Sequence, residues 1–295
     1  MPIGIEEEFE SVDEPVSEEA LQRGAIAMEQ VAVTHAKLTN IAIPIYAEKA
    51  NGVLFLNGSA FLLSVLDAVF LVTAAHVLAA YQESPLWVPA GGKPFGLNAG
   101  FTHTKIEGAV DLAFARLDER MEPLLKEYRT LSVDEIDVDD WPEPHRIYTF
   151  LGHPSSANKA RLDTKTLAPT VRPYSSHKPL ALEEYEPNKL NPCAAVAARF
   201  DLNKAEEEVS GKIVQPQNPK GISGGPVFRI GSFRELHERT NQEKVVGLGV
   251  EFRRNPDMLI GARIGLVVEG IRKRHPDLSA ALPTNARCKV NVEFK

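Results

Sequence analysis

An all-β fold with helices at its ends is the class this sequence predicts, and three observations carry it. Short apolar runs bounded by turn residues fill most of 41–264. Clear helical spacing of apolar residues is confined to 17–37 and 266–273. One charged, proline-containing stretch near the middle divides the runs into two groups.

Residues 1–16 read as an acidic leader without regular structure. Ser17 can cap a helix, with Glu18 and Glu19 favoured in its first turn. Leu21, Ala25, Met28, Ala32 and Ala36 then recur at helical spacing. That stripe either docks on the body of the domain or serves as a partner-binding helix.

β texture begins at Ile41, with runs at 41–46, 53–56, 59–63 and 69–73. Asn51-Gly52 and Asn57-Gly58 read as turn dipeptides, and 64–68 as a hairpin connection. Strand signals weaken over 81–108 and return at 110–117. The charged stretch 118–145 reads as a chain segment crossing the surface. Strands follow at 146–151, 194–200, 226–230, 245–252 and 259–264, with long loops expected over 156–190 and a polar insertion over 232–243. Glu206-Glu207-Glu208 reads as a solvated face. A helix is expected over 266–273, and 289–294 alternates like an edge strand. The expected organisation is therefore 1–42 leader and helical extension, 43–130 first β body, 131–145 linker, 146–275 second β body with its helix, and 276–295 tail.

Length and charge narrow the function classes. The 295 residues are ample for a buried core. A formal charge of −7 disfavours broad binding to nucleic acid or to an anionic membrane. The basic run Arg272-Lys273-Arg274 fits cations at a helix end. The longest apolar stretch, about 60–80, is interrupted by Ser64, Asp67, Thr73 and His76, so no transmembrane helix is expected. The start of the chain lacks the pattern of a signal peptide. Cys193 and Cys288 are the only cysteines and are expected as two separate thiols, with a pairing of the two as the alternative. Together these features lead to the expectation of a cytoplasmic protein.

One octet stands out: Gly221-Ile222-Ser223-Gly224-Gly225-Pro226-Val227-Phe228. Glycines let the backbone bend sharply and approach a ligand closely. The turn also puts the N–H groups of Gly221 and Ser223 near each other, as an oxyanion hole requires. A solvated serine on a flexible turn would have the same sequence. His76 ends an apolar strand, and Asp111 opens one. A serine nucleophile needs a base to accept its proton, and an imidazole oriented by a carboxylate supplies one. Activity should therefore fall on acidification as the imidazole becomes protonated.

The order His76, Asp111, Ser223, with the motifs Thr73-Ala74-Ala75-His76, Asp111-Leu112-Ala113 and Gly221-Ile222-Ser223-Gly224-Gly225-Pro226, resembles the chymotrypsin/trypsin-like serine peptidases, in particular their disulfide-poor bacterial and intracellular branch. Val246-Gly247-Leu248-Gly249-Val250 resembles that family's substrate-side strand. The resemblance spans about 43–275. It implies two six-stranded β-barrels with the site between them, a protein or peptide substrate, and no metal or cofactor. It implies Ser223 as nucleophile, His76 as base, Asp111 as orienting carboxylate, and Gly221 and Ser223 as oxyanion donors. Ile222 stands where many relatives carry Asp, which points away from activation by an ion pair with a processed N-terminus. Gln217 stands six before the serine, so preference for a basic side chain has no support there. Glu251 is a candidate for recognising one, beside Val250 and Phe252. A regulatory partner, or gating by the N-terminal extension in a stress or defence pathway, is a further expectation.

Two other readings stay open. Gly221-Ile222-Ser223-Gly224-Gly225 also fits the nucleophile elbow of α/β-hydrolases, but Gly-Gly-Pro-Val-Phe suits a strand after the serine rather than the helix that elbow requires. A non-catalytic peptide-binding or scaffolding module would have no chemical need for all three residue types.

Overall fold

A computed structural model of the chain describes residues 18–82, 85–105, 110–158, 167, 169–202, 205–206, 213–214 and 217–295. The leader, the Ser17 cap, Glu207 and Glu208 lie outside the described residues. Helix α1 covers Glu18–Leu38. The strands of the first body are β1 (Ile43–Glu48), β2 (Leu54–Val65), β3 (Ala68–Thr73), β4 (Leu86–Ala90), β5 (Lys93–Leu97), β6 (Thr102–His103), β7 (Ala113–Arg116) and β8 (Thr130–Ser132). They form one sheet in the order β5-β4-β1-β2-β3-β7-β6, and β8 pairs with β2 in parallel. The second body comprises β9 (Arg146–Gly152), β10 (Arg172–Ser176), β11 (Ala195–Arg199), β12 (Ala205–Glu206), β13 (Ile213–Val214), β14 (Pro226–Ser232), the short helix α2 (Phe233–His237), β15 (Lys244–Arg253) and β16 (Met258–Arg263). Its sheet runs β10-β9-β14-β15-β16-β11, while β12 and β13 pair only with each other. Helix α3 (Ile264–Arg274) follows directly.

The all-β class with a helix towards each end is what the structure has. The first sheet carries eight strands where six were expected, and its two shortest members, β6 and β8, make the difference.

Asn57-Gly58, expected as a turn, lies inside β2. The glycine is required by close approach instead. A Cβ there would meet Val77 Cγ2 at 2.5 Å and the Ser223 carbonyl oxygen at 3.1 Å. Leu66 and Asp67 make the actual hairpin turn, with Leu66 at φ 55°.

Helix α1 belongs to the fold rather than to an outside partner. Its Ala27, Val31 and Leu38 are buried in the main core. Near its end, Thr34 donates to Glu243 (3.1 Å), and His35 Nε2 meets Ser175 Oγ at 2.8 Å and Thr149 Oγ1 at 3.3 Å. Helix α1 is thereby fixed to β9 and β10 of the second sheet.

The 131–145 segment, expected as a surface linker, is packed in. Ile136, Val138 and Asp140 are buried. Asp140 accepts from Arg263 (3.2 Å), Tyr148 (3.1 Å) and Arg229 (3.4 Å), and Arg263 is as deeply buried as its partner. A charge in such a place is tolerated only when paired and hydrogen-bonded. The polar sequence concealed an internal ion pair.

The two cysteines, expected as separate thiols, are joined in a disulfide with a Cα–Cα separation of 5.4 Å across 95 residues. The tail brings them together by folding back over the second body. Arg272 donates to the Leu282 and Pro283 carbonyls, Asn285 to the Val138 carbonyl, and the Ala286 N–H to Asp139. Lys273 and Arg274 reach the carbonyls of Val292 and Phe294. The basic run therefore clamps the tail as well as ending a helix. The tail forms no strand over 289–294, although Lys295 exchanges two backbone hydrogen bonds with His103. The disulfide removes the separate-thiol premise of a cytoplasmic location. Among the described residues, no helix is long and apolar enough to cross a membrane.

Removing one member of the buried ion pair leaves the other charge unpaired. Asp140→Ala is expected to lower stability by about 3–5 kcal/mol, measured by urea unfolding.

Candidate functional site

His76 sits where β3 runs into the short 3-10 turn Ala75–Gln82, and Asp111 lies two residues before β7. Pairing of β3 with β7 aligns Thr73 with Ala113, which brings the two strand ends together. Asp111 Oδ2 meets His76 Nδ1 at 2.5 Å, and Oδ1 accepts the His76 backbone N–H at 2.9 Å. A carboxylate can only accept, so Nδ1 carries a proton, and Nε2 is the ring nitrogen turned away from Asp111. The imidazole is 38% exposed and the carboxylate 13%, so the pair opens to solvent on the histidine side. Thr104, which the sequence did not single out, holds the Asp111 loop. Its hydroxyl donates to the Val110 carbonyl (2.6 Å), and its N–H to the Leu112 carbonyl (3.0 Å).

Ser223 lies on the turn that leads into β14. The turn packs directly on the strand end that carries His76. A Cβ at Gly224 would meet the Ser59 carbonyl oxygen at 2.0 Å and the Ala74 nitrogen at 3.0 Å. A Cβ at Gly225 would meet the Leu151 carbonyl oxygen at 1.9 Å. No other residue type fits this double contact without displacing backbone. The Ser223 hydroxyl donates to the Val250 carbonyl at 3.0 Å.

Two carbonyls fix the direction of the turn's N–H groups. In a planar trans peptide the C=O and N–H point opposite ways. The Lys220 carbonyl accepts from the Ser155 N–H (2.8 Å), which aims the Gly221 N–H the other way. The Ile222 carbonyl accepts from the Gly225 N–H (2.9 Å), which does the same for the Ser223 N–H. Neither Gly221 nor Ser223 donates its N–H to a backbone acceptor among the described residues. Such donors suit a developing negative charge on an oxygen. Ile222 is buried in the second core with Phe150, Val196 and Val227, so apolar packing anchors the turn where an ion pair could have done so.

The other residues singled out are dispersed. Gln217 is exposed. Val250 meets Ser223 through its carbonyl. Phe252 packs against the second core. Glu251 is exposed and bonded to Arg253 at 3.1 and 3.3 Å, so its carboxylate already has a cationic partner. No group of three or more His, Cys, Asp or Glu residues is arranged to hold a metal among the described residues.

His153 is a further group at this junction. It is 3% exposed, and its Nε2 donates to the Ala42 carbonyl at 3.1 Å. Its backbone carbonyl lies against Gly221, where an added Cβ would come within 2.7 Å. Burial pushes its pKa down to about 4. The sequence showed only a Gly-His-Pro-Ser turn there.

No protein-family model and no curated protein matches the chain. Two solved structures connected with Sesbania mosaic virus are similar to it. One is the serine protease domain of the viral polyprotein, at 14% identity and a TM-score of 0.42, covering 79% of this chain and 91% of the other. The second comes from work on coupled folding and binding of that virus's intrinsically disordered VPg protein. It stands at 16% identity and a TM-score of 0.42, covering 77% and 93%. Function is therefore read from the site's own geometry.

His153 gives the fold a pH dependence. Its imidazole takes a proton near 6.5 in the unfolded chain but resists until about 4 when folded. Between those values the unfolded state binds the extra proton, so stability is full above 6.5 and falls as the pH drops towards 4. The shift corresponds to about 3 kcal/mol. His153→Gln is expected to flatten this loss, read by urea unfolding at about pH 7 and about pH 4.5.

Proposed function

We propose that the chain is a serine endopeptidase acting through an acyl-enzyme. The observation that carries this reading is the His76–Asp111 pair, its free imidazole nitrogen open to solvent, beside a serine turn with two outward N–H groups. In the proposed reaction the Ser223 hydroxyl leaves the Val250 carbonyl and turns towards His76. Oγ attacks the peptide carbonyl carbon while His76 Nε2 takes its proton. The Gly221 and Ser223 N–H groups hold the oxyanion. The protonated Nε2 then gives its proton to the departing amine as the C–N bond breaks. Water repeats the sequence on the ester, and the acid leaves. Asp111 stays ionised and keeps Nδ1–H directed at itself.

A peptide substrate would run beside Val250, Glu251 and Phe252 of β15, with Gln217 as a further candidate contact. Selectivity is narrow in this reading. Control by the N-terminal extension, or by a protein partner in a stress or defence pathway, is part of the proposal. Because α1 is built into the core, control of this kind belongs to residues 1–17. Their deletion is expected to raise turnover while leaving the melting temperature unchanged; equal turnover would remove the extension as a gate.

The Ser223–Val250 bond favours one alternative, a peptide-binding module that performs no hydrolysis. Labelling by a fluorophosphonate separates the two. Wild type is expected to label at Ser223 and Ser223→Ala not at all, with the same fold by circular dichroism. Asp111→Asn is expected to slow turnover by about 10⁴-fold. A folded wild-type chain that never labels would overturn the enzyme reading.

A further inference from the structure

Ser59 belongs to β2, in the first sheet, yet its polar groups serve the serine turn of the second. The residue has no solvent exposure. Its N–H donates to the Ser223 carbonyl at 2.7 Å. Its hydroxyl donates to the Gly221 carbonyl at 3.0 Å and accepts the His153 N–H at 3.0 Å. Its own carbonyl accepts from the Thr73 hydroxyl at 2.7 Å, three residues before His76.

The bond to the Gly221 carbonyl is the informative one. Gly221 has φ +101° and no side chain to restrict it. Its N–H belongs to the Lys220–Gly221 peptide and its carbonyl to the Gly221–Ile222 peptide. The Lys220 carbonyl on one side is held by the Ser155 N–H. The Gly221 carbonyl on the other is held by the Ser59 hydroxyl. The same peptide is held at its other end, where the Ile222 N–H donates to the Pro219 carbonyl at 3.1 Å. Removal of the Ser59 hydroxyl leaves a buried carbonyl without its side-chain donor, which is costly in a site closed to water. The peptide can then rotate to find another partner, and the donor peptides on either side of it lose the spacing it sets.

We propose that Ser59 is a positioning residue for the oxyanion donors. Its hydroxyl locks the Gly221–Ile222 peptide, which joins the two peptides that carry the Gly221 and Ser223 N–H groups, and so sets how those two donors stand relative to each other. This role rests on the peptidase reading of the same site. Ser59 touches no reacting atom. Its effect is expressed in the transition state, where negative charge develops on the substrate oxygen, and far less in ground-state binding.

The test compares wild type with Ser59→Ala, using p-nitrophenyl acetate turnover and the backbone amide resonances of Gly221 and Ser223 in ¹⁵N-labelled protein. Loss of a whole oxyanion donor costs about 10²–10³ in rate, so its misorientation is expected to lower kcat about ten- to a hundredfold, with KM within about twofold. The Gly221 amide resonance is expected to move while those of α3 stay in place. Where Ser59→Ala does not fold, Ser59→Cys fills the site with a much weaker donor and is expected to change both readouts in the same direction. An unchanged kcat with an unmoved Gly221 amide overturns the proposal. A loss confined to KM overturns it as well. If wild type neither turns over the ester nor labels with a fluorophosphonate, the peptidase reading fails. The amide resonances then still decide whether the hydroxyl sets the turn: movement at Gly221 supports that role, and its absence overturns it.

Discussion

The fold depends on one close contact, the docking of 57–59 in β2 onto the turn 221–225. The two backbones approach closely there, with the Ser59 hydroxyl and the Val77 side chain packed into the contact. Gly58, Gly224 and Gly225 each have a backbone or branched side-chain atom where a Cβ would stand. The Ser59 N–H to Ser223 carbonyl bond, at 2.7 Å, closes the contact. The first sheet brings His76 and Asp111 to this junction, and the second brings Ser223. A shift of an ångström here would disturb the relation between the halves of the site without altering either sheet.

Around that contact, polar groups are satisfied in a set pattern. The carbonyls of Lys220, Gly221, Ile222 and Ser223 all accept hydrogen bonds from within the protein. The N–H groups of Ile222, Gly224 and Gly225 are likewise spent internally. Those of Gly221 and Ser223 have no backbone acceptor among the described residues. A buried segment normally pairs every backbone group it has, so two neighbouring exceptions on one turn form a shaped partial positive charge. That is the electrostatic feature on which the proposed chemistry draws.

Much of this was legible in the sequence, for reasons that differ by residue. Strands β14, β15 and β16 and helix α3 followed from local apolar patterns, because each buries one face within a few residues of its neighbours. His76 and Asp111 were legible because each interrupts an apolar run at its end, where a polar group reaches a cleft. Ser59 and Ser155 were not legible. Each reads as an ordinary small polar residue, and its importance arises only when a distant turn docks on it. Asn57-Gly58 misled for the same reason: glycine permits a turn and also permits close approach, and only the partner at Val77 distinguishes them. Cys193 and Cys288 were read apart because the return of the tail depends on Arg272 and Asn285 gripping carbonyls, which leaves no local signature. Asp140 resembles its acidic neighbours in sequence, and only the buried Arg263 beside it sets it apart.

The way the serine turn is anchored constrains how such a site could be controlled. A charged residue at position 222 would make the turn depend on a partner that could be supplied or withdrawn. Ile222 is instead buried among apolar side chains, and the other anchors are backbone bonds and the Ser59 hydroxyl. None of these anchors titrates in the physiological range. In the proposed mechanism the two N–H donors would thus be assembled when the chain folds. What remains adjustable is the Ser223 hydroxyl, held by a single neutral bond to the Val250 carbonyl, and access along β15. A neutral bond of this kind contributes only about 1 kcal/mol, so a peptide that competes for the Val250 carbonyl could release the hydroxyl towards His76. Control of the proposed chemistry then falls on what enters the cleft rather than on construction of the turn.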